Sequence, residues 1–69
     1  MAVIKTIDLV GVSAQSWDDA AREALKEAAK TIRGIERLDV LEQTAVVADD
    51  GTISEFQTHI QIHFRLERM

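Results

Sequence analysis

The chain of 69 residues lacks cysteine and proline altogether. The absence of cysteine excludes disulfides and thiolate metal sites, and it fits a reducing compartment. No apolar run approaches the ~20 residues that span a bilayer. The opening "MAVIKTIDLV" also has no signal-peptide pattern. We therefore expect a cytoplasmic protein that does not cross a membrane.

Positive charge is also scarce. The chain has 8 Lys and Arg against 12 Asp and Glu, which gives a net charge of -4, and the basic residues form no cluster. Binding to nucleic acid depends on a basic patch that neutralises phosphates. We therefore expect no nucleic-acid partner.

The usual signatures of catalysis are absent as well. There is no thiol nucleophile, the stretch "GVS" is too short for a Gly-rich phosphate loop, and no His stands near a Ser with an Asp to orient it. We interpret Ser13 and Ser16 as helix caps and the pair Asp49 and Asp50 as part of a turn. We expect a protein that is not an enzyme.

The small size of the chain makes assembly the expected source of stability. One domain covers residues 1–69, and a domain this small buries only about 60% of the surface that its unfolded chain exposes. Such domains usually need a disulfide, a metal or oligomerisation. Because cysteine and zinc-finger spacing are both absent, we expect a homo-oligomer.

The first half of the chain predicts a strand and a helix. Residues 2–10 are rich in β-branched side chains and predict a strand that ends at Gly11. Asp19 follows Ser16 at capping-box spacing, and Gly34 is the expected end of the helix. The apolar residues of the helix recur at helical spacing and are mostly alanine, which indicates a close approach to a sheet. These residues are Trp17, Ala20, Ala21, Ala24, Leu25, Ala28, Ala29 and Ile32.

Two more strands follow, joined by a hairpin. Residues 35–48 predict the second strand and residues 52–67 the third, with Gly51 free to adopt a positive φ in the turn between them. The alternation of the second strand is interrupted at Leu41, which indicates a bulge or a strong twist. The order β-α-β-β predicts an α+β domain in which a three-stranded antiparallel sheet wraps around one helix.

The third strand contains "EFQTHIQIHFRLE", whose two sides differ. Successive residues of a strand face opposite sides, and one side of this strand is largely apolar. The other side carries Gln57, His59, Gln61 and His63 and no lysine, unlike an ordinary solvated strand. Since one helix covers only one side of the sheet, we expect the second side to face other subunits or a cavity.

Taken together, these stretches resemble the dodecin family. "IDLVGVSAQSW" is similar to the first strand, Gly-x-Ser turn and helix start of dodecins, and "LEQ" and "EFQTHIQIHFRLE" are similar to the two later strands. The resemblance covers nearly the whole chain and rests on order, spacing and total length. It implies a hollow cage of twelve identical subunits, a homododecamer that binds flavins in pairs at subunit contacts. It also implies storage or buffering of riboflavin, FMN or FAD rather than turnover.

One position departs from the family pattern. Flavin-binding dodecins carry a Trp near the start of the second strand, where the ring stacks on the isoalloxazine, and the resemblance places Arg37 there. A guanidinium can also lie flat on an aromatic ring, or it can hold a phosphate or a carboxylate. Trp17 does not replace the missing ring, because its place in the helix stripe predicts a role in the core. We expect flavin binding to be weakened.

The resemblance assigns the edge of the flavin ring to Gln57, whose amide can both donate and accept. The alternative is a Gln that bonds to a neighbouring subunit. Glu42 matches an acidic position that faces ions near the symmetry axes of some dodecins, so it is a candidate metal ligand. The alternative for Glu42 is an ion pair between subunits. His59 and His63 lie roughly 13 Å apart along the strand, too far to hold one metal within a chain, and are expected to line an interface or a cavity.

Two functions stay open at this point. One is a cage that stores a flavin or a related cofactor. The other is a dodecin-like assembly without flavin, whose cage binds metal ions or other small ligands or serves a structural role. In either case we expect Arg37, Arg65 and Glu67 to form ion pairs between subunits, because the third strand extends beyond what one helix can cover.

Overall fold

The structure, a computed structural model, describes residues 2–66. Its elements are β1 (Val3–Ser13), α1 (Trp17–Ala29), β2 (Ile35–Val47) and β3 (Ile53–Leu66). The strands form one antiparallel sheet in the order β1-β3-β2, so β3 lies in the middle and pairs with both other strands. The predicted α+β fold of three antiparallel strands and one helix is confirmed.

Two serines shape the entry into α1. Ser16 is the N-cap: its backbone is extended, and its hydroxyl accepts a hydrogen bond from the Asp19 backbone N–H at 3.0 Å. The Ser13 hydroxyl donates to the Asp19 carboxylate at 2.7 Å and accepts from the Gln15 backbone N–H at 2.9 Å. Ser16 therefore caps the helix as predicted, while Ser13 braces the turn before it.

The first strand does not end at Gly11, as the sequence predicted, but continues through it to Ser13. Gly11 is buried opposite Thr58 of β3. A Cβ built on Gly11 would lie 1.8 Å from the carbonyl oxygen of Ala20 in α1. The prediction was wrong because this glycine does not break the strand. It gives the helix backbone room to cross the strand closely.

The helix also ends earlier than predicted, at Ala29 with Lys30 as its C-cap. Gly34 lies further along, in the link to β2, where its φ is 77°. Its carbonyl oxygen accepts a hydrogen bond from the backbone N–H of Arg65 at 3.0 Å. Gly34 therefore turns the chain into the sheet and does not form the end of the helix.

The hairpin between β2 and β3 matches the prediction at its turn and at its irregularity. Gly51 has a φ of 88° in the turn, and the Asp50 carboxylate accepts hydrogen bonds from the backbone and hydroxyl of Thr52 at 3.0 and 2.7 Å. The register shifts between Val40 and Glu42, so the residue between them is the extra residue of a bulge. This bulge explains the interrupted alternation of β2.

The core lies between α1 and the middle of the sheet. Ala20, Ala24 and Ala28 are buried on the helix, and Ile60 and Ile62 are buried beneath it on β3. The small alanine side chains let the helix approach the sheet closely, as the sequence predicted. The helix packs on β1 and β3 and scarcely touches β2. Within residues 2–66, α1 is too short and too polar to cross a membrane.

Candidate functional site

The side of the sheet opposite α1, here called the outer face, is exposed or half-buried at every described position. It is built from alternate residues of the three strands, which the register sets side by side. The outer face carries Thr6, Asp8, Val10 and Val12 on β1, Arg37, Asp39, Glu42, Thr44 and Val46 on β2, and Glu55, Gln57, His59, Gln61 and His63 on β3. The predicted polar side of the third strand therefore lies on a surface that the helix does not cover.

The residues Gln57, His59, Gln61 and His63 of β3 are here called the polar row. Apolar side chains are exposed on the outer face beside it. Val10 is 55% exposed, Val12 48% and Val46 43%. Neighbouring apolar side chains left open to water in so small a chain mark a surface for a ligand or another subunit.

Both histidines of the polar row are paired with carboxylates of neighbouring strands. His59 Nε2 lies 3.3 Å from Asp8 Oδ2, and His63 Nε2 lies 2.9 Å from Asp39 Oδ2. The Gln61 amide donates to the other oxygen of Asp8 at 3.2 Å. The row therefore ties β3 to β1 on one side and to β2 on the other. Sequence reasoning missed both aspartates, because only the strand register shows which residues face the histidines.

Arg37 lies beside His63 at one end of the outer face. The two residues are opposite each other in the register, the Arg37 side chain is 68% exposed, and its Nε lies 4.0 Å from Asp39 Oδ1. Arg37 and His63 line a shallow cavity of about 310 Å³ together with Ile4, Thr6 and Glu36. This cavity offers a guanidinium, an imidazole and a hydroxyl, but none of its lining residues is Phe, Tyr or Trp.

Gln57 lies near the opposite end of the outer face, between Val12 of β1 and Thr44 of β2. Its Nε2 donates a hydrogen bond to Glu55 Oε2 at 2.7 Å. Gln57 is six residues along β3 from the residue that faces Arg37, which corresponds to about 20 Å. A single chain therefore does not bring Arg37 and Gln57 to the same ring, and one ring that touches both needs a second copy.

Glu42 is exposed on the outer face, opposite His59 and next to the bulge in β2. Among residues 2–66, no three His, Cys, Asp or Glu side chains are grouped so that they could hold a metal ion. A metal site at Glu42 would therefore have to take ligands from more than one chain.

Trp17 has its partners inside the chain. Its ring packs edge-on against Phe56 with the ring centroids 4.9 Å apart, and its N–H donates to the Thr44 carbonyl oxygen at 2.8 Å. The backbone carbonyl of Trp17 in turn accepts a hydrogen bond from the buried Thr58 hydroxyl at 2.8 Å. Trp17 thus fastens the start of α1 to the sheet, in agreement with the predicted packing role.

Arg65 also has a partner within its own chain. Its Nε donates to Glu36 Oε2 at 2.6 Å, and this hydrogen bond is the main reason why the pKa of the Glu36 carboxyl is lowered. Glu67, the third residue expected in ion pairs, lies outside the described residues. Ion pairs between subunits therefore stay a prediction.

Comparison with known proteins gives one consistent match. Residues 3–67 match the family model described as Dodecin. The chain is 34% identical to a dodecin of Thermus thermophilus over 65 residues, which cover 94% of this chain and 93% of that protein. It is 33% identical to the calcium dodecin of Mycobacterium tuberculosis over 66 residues, which cover 96% of this chain and 92% of that protein. A crystal structure of a Thermus thermophilus protein superposes with a TM-score of 0.92 at 32% identity and covers 100% of both chains.

Proposed function

Because this chain belongs to the dodecin family, we propose that twelve copies of it close into a hollow cage that binds a flavin at subunit contacts. The cage stores or buffers the flavin and does not convert it. The observation that carries this proposal is the divided site. Arg37 and Gln57 share the outer face but lie about 20 Å apart along the strands, so an isoalloxazine ring held by both must sit between copies.

The surroundings of Gln57 support a planar ligand. Val10 and Val12 leave apolar surface open beside the Gln57 amide. An isoalloxazine ring has two apolar faces and a polar edge, so its faces can cover the valines while its edge meets an amide that donates and accepts.

Arg37 lowers the expected affinity for the ring. A base stacked on an aromatic side chain gains about 1–3 kcal/mol, whereas a cation over a ring gains about 0.5–2 kcal/mol. A ring held on both sides loses the aromatic stack twice. Because each 1.4 kcal/mol is tenfold in affinity, the affinity of the site for the ring falls roughly ten- to ten-thousand-fold. We expect a micromolar or weaker Kd. We also expect FMN to bind more tightly than riboflavin, since the Arg37 guanidinium can pair with its phosphate.

A fluorescence-quenching titration with riboflavin, FMN and FAD tests the flavin proposal. Arg37→Trp should tighten riboflavin more than FMN, because it restores the stacking ring and removes the phosphate partner. Arg22→Trp, on the exposed side of α1, is a matched control that should leave both affinities unchanged. Nanomolar binding of riboflavin by the wild type, or an unchanged affinity in Arg37→Trp, would contradict the role given to Arg37.

Light scattering tests the cage. We expect a particle of about twelve times the subunit mass of 7.7 kDa. A mass near that of one or two subunits at micromolar concentration would contradict the proposal.

A cage that binds metal ions is the second candidate function. A relative with 33% identity is named calcium dodecin, and Glu42 is an exposed carboxylate on the outer face. Calcium takes six to eight oxygen ligands, so a site of this kind would collect Glu42 from several copies. Calorimetric titration with calcium should then give heat for the wild type and none for Glu42→Gln. Equal heats for the two proteins would remove Glu42 from this role.

A further inference from the structure

The amide of Gln57 is held by Glu55, which lies two positions earlier on the same side of β3. The distance of 2.7 Å between Gln57 Nε2 and Glu55 Oε2 is typical of a charge-assisted hydrogen bond. An ionised carboxylate can only accept, so Glu55 must face the NH2 end of the amide. The bond therefore selects one of the two orientations that an isolated glutamine amide could adopt.

This orientation leaves a donor and an acceptor free on Gln57. One N–H of the amide donates to Glu55, and donation by the N–H trans to the carbonyl oxygen leaves the cis N–H and that oxygen side by side. Within residues 2–66, the bond to Glu55 is the one hydrogen bond that this side chain makes. A donor beside an acceptor is complementary to a ring edge in which a carbonyl group stands next to an N–H, as in a lactam or an imide.

The negative charge of Glu55 strengthens the preference for a ring that carries an N–H next to a carbonyl group. A carboxylate that accepts from one end of an amide polarises the group and makes the carbonyl oxygen at the other end a stronger acceptor. The same negative charge disfavours a ring that has lost its N–H proton. Val12 and Val46, the neighbours of Gln57 and Glu55 on the flanking strands, leave apolar surface for the face of such a ring.

We propose that Glu55 is a positioning residue: it orients Gln57 so that the site selects heterocycles with a ring N–H next to a carbonyl group. This inference rests on the proposed binding of a flavin at Gln57. The isoalloxazine carries such an edge at its N3–H, between two carbonyl groups.

The test compares riboflavin with N3-methylriboflavin, in which a methyl group replaces that hydrogen. We expect methylation to weaken binding to the wild type about tenfold or more, because a hydrogen bond is lost and the Gln57 oxygen is left without its donor. Glu55→Gln should weaken riboflavin about threefold to tenfold, since a second amide can donate as well as accept and no longer fixes Gln57. N3-methylriboflavin, which makes no bond to that oxygen, should bind Glu55→Gln as it binds the wild type.

Two further variants separate positioning from a general change of the surface. Glu55→Asp keeps the charge but withdraws the oxygen from Gln57, and it should give the same pattern as Glu55→Gln. Asp49→Asn removes one negative charge in the exposed hairpin turn and should leave both affinities unchanged.

A double-mutant cycle completes the test. If Glu55 acts through Gln57, Glu55→Gln should have no further effect on riboflavin in a Gln57→Ala background. Equal losses for both ligands, or an effect of Glu55→Gln in that background, would overturn the inference. A wild type that binds riboflavin without discriminating against its N3-methyl form would overturn this inference alone. A wild type that binds no flavin would overturn the proposed function with it.

Discussion

The two sides of strand β3 serve different purposes. On the side toward α1, Thr58, Ile60 and Ile62 are completely buried. On the outer face, the alternating residues from Gln57 to His63 stay half-buried, and His59, Gln61 and His63 pair with carboxylates on β1 and β2. Full burial of one isoleucine side chain stabilises a fold by about 1.5–3 kcal/mol. The comparison shows that alternate residues of one strand supply the buried core of the chain on one side and an accessible, largely polar surface on the other.

A second contrast separates β2 from the other two strands. Val40 lies opposite Ile60 in the register and on the same side of the sheet, yet it is 51% exposed. The reason is that α1 packs over β1 and β3 and leaves most of β2 uncovered. Apolar surface is therefore open on both sides of β2, and assembly with other copies would cover it.

The largest expected effect separates the two sides of the sheet. Ile60→Ala should lower the free energy of unfolding by about 2–5 kcal/mol, because it leaves a cavity under the helix. Val12→Ala, on the outer face, should cost less than about 1 kcal/mol. Denaturant unfolding at one fixed protein concentration measures both. Equal losses would mean that the outer face contributes to folding as much as the core.

The close contact between β1 and α1 gives the next effect. Gly11→Ala should cost about 3 kcal/mol, the upper end for overpacking, because the new Cβ meets a backbone oxygen that cannot rotate away. Gly51→Ala is the matched control: nothing lies within 4 Å of the added Cβ, and only the positive φ costs about 1 kcal/mol. A thermal-unfolding scan in which both variants lose the same stability would contradict the role given to Gly11.

The attachment of β2 to the helix gives a smaller effect. Trp17→Phe keeps an aromatic ring against Phe56 but removes the N–H that bonds to the Thr44 carbonyl. We expect a loss of about 1 kcal/mol, the net value of one hydrogen bond, and faster amide hydrogen exchange in β2 than in β1. Uniform exchange in the two strands would show that Trp17 does not hold β2.

Local patterns in the sequence predicted the elements of this fold, whereas tertiary contacts explain the errors. The Ser16 cap and the Gly51 turn depend on neighbouring residues, and both are confirmed. Gly11 and Gly34 were misread as element ends, because the first makes room for α1 and the second bonds to β3. Neither contact can be inferred from the composition of the chain or from the alternation of apolar and polar residues.

The candidate site shows the same limit. Alternation along β3 placed Gln57 and both histidines on one side of the sheet, and the structure confirms this. The partners Asp8 and Asp39 depend on strand order and register, which alternation does not determine. The separation of Arg37 from Gln57 follows from the same register, which places the two residues at opposite ends of the outer face.

The smallest expected effect concerns the ion pair at the end of the outer face. The pKa of Glu36 is lowered, mainly by the hydrogen bond from Arg65, with added attraction from the charges of Arg65 and Arg37. Because the folded-state pKa is depressed, the pair stabilises the fold fully above the ordinary Glu pKa of about 4.3. This contribution is lost as the pH falls through the lower folded-state value.

Glu36→Gln should therefore show a shallower loss of stability than the wild type as the pH falls below about 4. At pH 7 the two proteins should differ little, because exposed ion pairs contribute weakly to stability. Glu23→Gln, exposed on α1, is the matched control and should keep the acid slope of the wild type. Unfolding midpoints measured at intervals between pH 3 and pH 7 test this prediction. Parallel curves for wild type and Glu36→Gln would show that the Arg65 bond does not stabilise the ionised carboxylate.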